Sequence, residues 1–260
     1  MTYFDDRFAA LAHRGFSHGN ENLENSLAAF AAAVELGYQY VETDAHGTSD
    51  GVAVALHDES LDRTTDASGL VSELPWSVVR QARIGGTEPV PLLEDVLGNW
   101  PGINVNIDVK ARSGIAPVAD AVERTASWDR VCITSFSPAR RVATLARLSR
   151  PVATSAGSSE VALFLAAARA RLAPAARWAL RRVDALQVPV AQVLPAGLGR
   201  LVVVDDVTVA QAHRAGKKVH VWTINDPGEM RRLIDVGVDG IVTDRADLLR
   251  EVLLERGLWT

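Results

Sequence analysis

A (β/α)8 barrel is predicted, an α/β TIM barrel with a short insertion after strand 2, and three observations predict it. Eight strand-like apolar segments alternate with helical patterns along the 260 residues. Helix-start signals stand at strand-to-helix junctions, as in a parallel sheet built with crossover helices. No glycine-rich dinucleotide fingerprint follows the first strand, which disfavours an open, doubly wound sheet. The length suits one barrel domain over 1–260.

Taken in order, FAALAHRG (8–15) carries the first strand and leads to a helix with an inward stripe of Leu27, Phe30, Ala31 and Val34. Gly37 stands where a left-handed helix end belongs. QYVETDAH (39–46) is the second strand. Residues 46–102 then exceed an ordinary strand-to-helix loop, and such insertions tend to carry function. They hold a hairpin strand ending in His57, the turn-rich DRTTDASG, and helical pieces around PWSVVRQAR and PLLEDVLGNW. INVNIDVK (103–110) and VCITSF (131–136) follow, the latter meeting Ser137-Pro138, an N-cap with proline in the first turn. After VATS (152–155), an Ala- and Arg-rich helix over 158–182 is expected to kink at Pro174. ALQVPV (185–190) precedes a poorly patterned 191–204. KVHVWTIN (218–225) runs into Asp226-Pro227-Gly228-Glu229, a capping-box arrangement, and DGIVTD (239–244) completes the eight.

Composition excludes several functions. The chain is 48% apolar and 23% charged, with a net charge of −5 and no Lys/Arg run, so nothing attracts nucleic acid or an anionic membrane. One cysteine, Cys132 in an apolar run, excludes a disulfide framework or thiolate metal site and reads as a reduced core thiol. The first residues lack a signal-peptide pattern and no apolar run is long enough to span a bilayer, so a soluble cytoplasmic protein is expected.

Side chains two apart on a strand share a face, which pairs Glu42 with Asp44, and Asn106 with Asp108 and Lys110. All lie towards the C-terminal ends of barrel strands, where such enzymes place their chemistry, together with His13 and Arg14. Three carboxylates without cysteine suit a hard divalent cation, Mg or Ca; ion pairing to Arg14 or Lys110 without a metal is the competing reading. Histidine as a residue type can take or give a proton near neutral pH, which makes His13 and His57 candidates for paired acid and base. Arg14 and Lys110 suit an anionic, phosphate-bearing substrate. Cation, imidazoles and basic groups around one point favour phosphodiester cleavage.

AHRG (12–15), LENSLAAF (23–30), ETD, SDG, HDESLDRTT (57–65), NIDVK (106–110), SF (135–136), VWTIND (221–226) and DGIVTDRAD (239–247) follow one another in order. In these blocks the chain resembles the glycerophosphodiester phosphodiesterase family from about Ala12 to Leu249. The resemblance implies a (β/α)8 phosphoric diester hydrolase that releases glycerol 3-phosphate and an alcohol from a small-molecule glycerophosphodiester. It implies His13 and His57 as acid and base, and Glu42, Asp44 and Asp108 as metal ligands. It further implies Arg14 and Lys110 on phosphate, Trp222 as a wall, and Glu24 as a supporting residue that orients Arg14 or its loop. Leu23 and Ser26 depart from the usual proline and threonine, and Asp108 replaces a glutamate. His18 and His46 are expected in surface or loop roles, although His46 shares the face of the two acids; His220 is expected as a polar core group. Competing functions are a cyclising phospholipid lyase of the sphingomyelinase D type and a non-catalytic glycerophosphodiester-binding protein.

Overall fold

Apolar runs rich in alanine and valine, bounded by polar turns, form eight parallel strands in the computed structural model, which describes residues 3–19, 21–193 and 199–260. They are β1 (Ala9–His13), β2 (Tyr40–Gly47), β3 (Asn104–Val109), β4 (Val131–Thr134), β5 (Ala153–Thr154), β6 (Ala185–Pro189), β7 (Lys218–Trp222) and β8 (Gly240–Thr243). Their spatial order is β5-β4-β3-β2-β1-β8-β7-β6. A bridge between Ser155 and Ala185, with Ala156 N–H donating to Ala185 O at 2.9 Å, joins β5 to β6 and nearly closes the barrel.

Nine helices among the described residues flank these strands: α1 (Leu27–Glu35), α2 (Leu93–Asn99), α3 (Ile115–Arg124), α4 (Pro138–Leu145), α5 (Ser158–Arg169), α6 (Ala173–Ala179), α7 (Asp206–Arg214), α8 (Pro227–Val236) and α9 (Ala246–Glu255). The main core lies between helices and strands, where Phe30, Ile107, Ile133, Phe164, Leu180 and Leu249 are buried. Inside the barrel, Leu11, Tyr40, Cys132 and Val242 pack together, and Tyr3 packs edge-on to Tyr40 at 5.5 Å beneath them.

Several expectations are refined. The buried stripe of α1 centres on Ala29, Phe30 and Ala33, with Leu27 and Val34 half-buried at its edges. Small residues are needed there: Gly15 has φ +85°, and a Cβ on it would stand 2.5 Å from the Ala29 backbone. The insertion is shorter than expected, because β2 runs to Gly47 and PLLEDVLGNW supplies α2. Residues 48–92 form a subdomain with their own core of Val54, Leu56, Leu61, Val71, Val79 and Ile84. Its strand Ala53–Ala55 pairs antiparallel with the end of β2, and PWSVVRQAR gives one turn, Trp76–Val79. The kink expected at Pro174 is a break: α5 stops at Arg169, Arg171 takes φ 56°, and Pro174 sits in the first turn of α6. Part of 191–204 forms a hairpin, Ala191–Val193 against Arg200–Val202; 194–198 lie outside the described residues. Asp226 caps Glu229 N–H, but the Glu229 carboxylate bonds Arg232 instead of closing a capping box.

His220 points inward from β7 and is 1% exposed, with Gln187 Nε2 3.4 Å from its Nδ1. Burial lowers its pKa to about 4. The unfolded chain protonates this histidine near 6.5 while the folded one does not, so its contribution is complete above that pH and lost between about 6.5 and 4. The loss is about 3 kcal/mol. Urea unfolding of His220→Gln is expected to show a flatter decline over this window than the wild type, and equal slopes would overturn the assignment.

Candidate active site

Register brings the acids together. His13 at the end of β1 pairs across to Glu42, Glu42 across to Asn106, and Asp44 across to Asp108. Lys110 follows β3 directly, and its Nζ lies 3.0 Å from Asp44 Oδ1 and 3.1 Å from Asp108 Oδ2. Arg14, at φ 55°, turns back so that its Nε stands 2.9 Å from Asp44 Oδ2 and its Nη1 donates to Glu24 at 3.1 Å. Asn25 Nδ2 also donates to Asp44 Oδ2, at 3.2 Å.

Each imidazole has its own carboxylate. His13 Nδ1 is 2.5 Å from Asp244 Oδ1, and its Nε2 is 3.8 Å from Glu42. Burial would lower the His13 pKa, but the Asp244 bond and the Glu42 charge outweigh it and the net direction is upward. Asp244 is held in turn by Asn225, which donates to its Oδ2 at 2.8 Å. His57 Nδ1 is 2.6 Å from Asp58 Oδ1. Two bonds from Arg63 fix Asp58 and hold its carboxyl well below the usual range. Arg63 also reaches Glu24 at 2.6 Å, so one guanidinium ties the His57 turn to the loop that carries Arg14.

His46 corrects an expectation. It is no surface or loop residue but 2% exposed, and its Nε2 lies 3.1 Å from the carbonyl of His57. This contact fastens the His57 turn to the end of β2. His18 is exposed, as expected of a loop residue.

Among the described residues, no three His, Cys, Asp or Glu side chains cluster closely enough to form a metal-ligand group. Arg14 and Lys110 occupy Asp44 instead, which is the metal-free ion pairing the sequence left open. The donor set nevertheless fits a hard cation. Asp108 Oδ1 is buried without a partner, and burial together with the Asp44 charge pushes the Glu42 carboxyl up to about 8. Burial outweighs the neighbouring cations at Glu42 and Asp108, so both carboxyls are pushed upward, and further positive charge would stabilise their ionised form; oxygen donors match Mg or Ca. Asp44 differs: burial would raise it, but Arg14 and Lys110 hold it low.

One cavity of about 790 Å3 is lined by His13, Arg14, Glu42, Asp44, His57, Asp108, Lys110 and Trp222. Phe136, 55% exposed, meets Trp222 edge-on at 5.8 Å and stands 5.9 Å from Lys110 Nζ.

A model of the glycerophosphoryl diester phosphodiesterase family matches residues 13–248. The chain belongs to this family. It is therefore a phosphoric diester hydrolase, and its barrel is that of its structural neighbours. Among glycerophosphodiester phosphodiesterases it is 44% identical over 251 residues to the probable glycerophosphodiester phosphodiesterase 2 of Mycobacterium tuberculosis, covering 96% of this chain and 92% of that one. It is 26% identical over 275 residues to human lysophospholipase D, covering 94% and 85%. A phosphodiesterase of Oleispira antarctica, solved with its product sn-glycerol-3-phosphate, shares the fold at TM-score 0.77 and 23% identity, covering 97% of this chain and 99% of that one. No helix among the described residues is long and apolar enough to cross a membrane.

Within this phosphodiesterase the expected site residues His13, Arg14, Glu24, Glu42, Asp44, His57, Asp108, Lys110 and Trp222 are gathered at one end of the barrel. Glu24 reaches the site through Arg14 and Arg63 and does not line the cavity. Reading the sequence missed Asp244, Asp58, Arg63 and Asn25. Asp58 carried a usable signal, because an acid directly after a candidate histidine suits a carboxylate–imidazole pair. Asp244 carried none until β8 was known to adjoin β1.

Proposed function

We propose that this chain hydrolyses glycerophosphodiesters, such as glycerophosphocholine or glycerophosphoethanolamine, to glycerol 3-phosphate and an alcohol. The observation that carries this reading is the pair of carboxylate-backed imidazoles, His13 on Asp244 and His57 on Asp58, opening on the cavity that holds Arg14 and Lys110. A carboxylate on Nδ1 fixes the tautomer and leaves Nε2 to move protons.

In this reading Arg14 and Lys110 bind the phosphate oxygens, and Trp222 walls the substrate. One imidazole takes the proton of the nucleophile while the other protonates the departing alkoxide. The nucleophile is water, or the glycerol 2-hydroxyl followed by water; both routes use the same two proton transfers. Glu42, Asp44 and Asp108 would hold a divalent cation, which when bound supplies neutralising charge at the phosphoryl oxygens. Glu24 holds Arg14 in place.

The test is a coupled assay for glycerol 3-phosphate over a panel of head-group diesters. Chelation is expected to reduce turnover at least a hundredfold, and Mg, Ca or Mn to restore it. Full activity after thorough chelation would remove the metal assignment. A stable cyclic phosphate as final product would mark a lyase instead.

A further inference from the structure

The overall charge of −5 gives no attraction to an anionic membrane, but one face departs from that average. Residues 161–183, which run from α5 through α6 towards β6, contain Arg169, Arg171, Arg177, Arg181 and Arg182 and no Asp or Glu. The acids on either side of this stretch are engaged elsewhere: Glu160 accepts from Arg141 at 2.7 Å, and Asp184 accepts from Thr154 N–H at 3.0 Å. Asp205 pairs with Arg169 at 2.9 Å. Among the described residues Arg171, Arg177, Arg181 and Arg182 make no ion pair, and all are exposed. Elsewhere on the surface Arg124, Arg231, Arg245 and Arg256 each meet a carboxylate at 2.8 Å or less.

Helical spacing sorts the residues of α6. Ala176, Ala179 and Leu180 are buried, whereas Ala173, Pro174, Arg177, Trp178 and Arg181 fall at i, i+1, i+4, i+5 and i+8 and reach the surface. Leu172, in the reversal before α6, and Trp178 are each 56% exposed. The Arg181 guanidinium carbon lies 3.9 Å from the centre of the Trp178 ring, and Arg181 Nη1 donates to Trp178 O at 2.8 Å. Arg177 Nη2 donates to Arg214 O at 3.0 Å, so the basic strip continues onto the end of α7, where Arg214 is exposed. At the other end of the strip, Arg169 lines the cavity. Two large apolar side chains thus stand in a ring of arginines that the fold leaves without counter-charge.

We infer that this face docks reversibly on the anionic surface of a lipid bilayer, with the arginines on lipid phosphates and Leu172 and Trp178 just beneath them. Guanidinium forks match phosphate oxygens, and tryptophan suits the boundary between membrane and water. One short amphipathic face gives peripheral attachment and no span. A nucleic acid fits the charge but not the rest. Leu172 and Ala173 would gain no apolar partner there, and Arg181 already takes the stacking place on one face of Trp178. A second copy of the chain would set arginine against arginine across a two-fold axis. With Arg169 in the cavity wall, a bilayer on this face borders the α5 end of the cavity. Docking of this kind needs no particular substrate and stands apart from the reaction proposed above.

The experiment is flotation of the full chain with vesicles of phosphatidylcholine alone and of an equal mixture with phosphatidylglycerol. Each basic group at an anionic surface is worth about fivefold, so partition into the mixed vesicles is expected to be roughly fiftyfold stronger at low salt. It should weaken severalfold as added salt screens the charge. Arg177→Glu/Arg181→Glu is expected to lose about twentyfold or more, and Arg182→Gln about fivefold. Brominated phosphatidylcholine in the mixed vesicles is expected to quench tryptophan emission more in the wild type than in Trp178→Phe. None of these residues lines the cavity, so circular dichroism and turnover of glycerophosphocholine in solution are expected to match the wild type. Equal partition into neutral and anionic vesicles, undiminished binding in both arginine variants, or tighter binding to poly(U) RNA than to the mixed vesicles overturns the inference. So does a lipid-free dimer that Arg177→Glu/Arg181→Glu abolishes, because the face would then join two copies of the chain.

Discussion

His57→Ala is expected to lower kcat about a thousandfold, ~4 kcal/mol of barrier, with KM little changed. The site offers no substitute for this proton-transfer group. His46 is the nearest other imidazole by contact, but its Nε2 is engaged with the His57 carbonyl at 3.1 Å, and burial lowers its pKa. The variant should remain folded. The His57 side chain is 32% exposed, and Asp58, which loses one contact, keeps two bonds to Arg63 at 2.6 and 3.0 Å. His13→Ala is expected to fall similarly, and the double variant to lose much less than the product of the two, because acid and base act in one event. Steady-state kinetics on glycerophosphocholine, with circular dichroism as the folding control, reads the outcome. Near wild-type kcat in His57→Ala would remove it from the chemistry.

The different fates of these residues show which physics a sequence carries. Strand identity, barrel class and the alignment of Glu42, Asp44 and Asp108 were legible because they follow from alternation and repeated strand-to-helix units. Neither depends on how long a strand is, so β5 could shrink to Ala153–Thr154 without altering the reading. Contacts between distant segments were not legible. Asp244 reaches His13 only because β8 pairs with β1, an adjacency created when the sheet curls on itself. Arg63 reaches Glu24 across 39 positions through the separate core of the insertion. His46 was misread for another reason: a histidine at a strand end looks solvent-facing until the antiparallel strand Ala53–Ala55 folds over it. The break between α5 and α6 was anticipated at the proline, yet the chain reverses earlier, at Arg171, and proline occupies the first helical turn where its missing N–H costs nothing.

Lys110→Met tests whether the acids share one demand for positive charge. Methionine keeps much of the apolar stem and removes the ammonium. Asp108 would then have neither oxygen partnered, since its Oδ1 has no partner already, and Arg14 would be the remaining cation on Asp44. Removing one partner of a buried ion pair leaves uncompensated charge, so the variant is expected to lose about 3 kcal/mol, or roughly 6–10 °C in Tm. Millimolar Mg or Ca is expected to recover more of that Tm in Lys110→Met than it adds to the wild type. In the wild type Lys110 already supplies charge to Asp44 and Asp108, whereas in the variant Asp108 has lost that partner and a divalent cation can take the place of the ammonium. Activity should nevertheless stay low, by about a hundredfold in kcat/KM, because a charged contact to phosphate is lost with the ammonium. Stability restored without turnover separates the two duties of Lys110, balancing the acids and holding the substrate anion. Equal thermal shifts in both proteins would mean that the carboxylates do not act together on a bound cation.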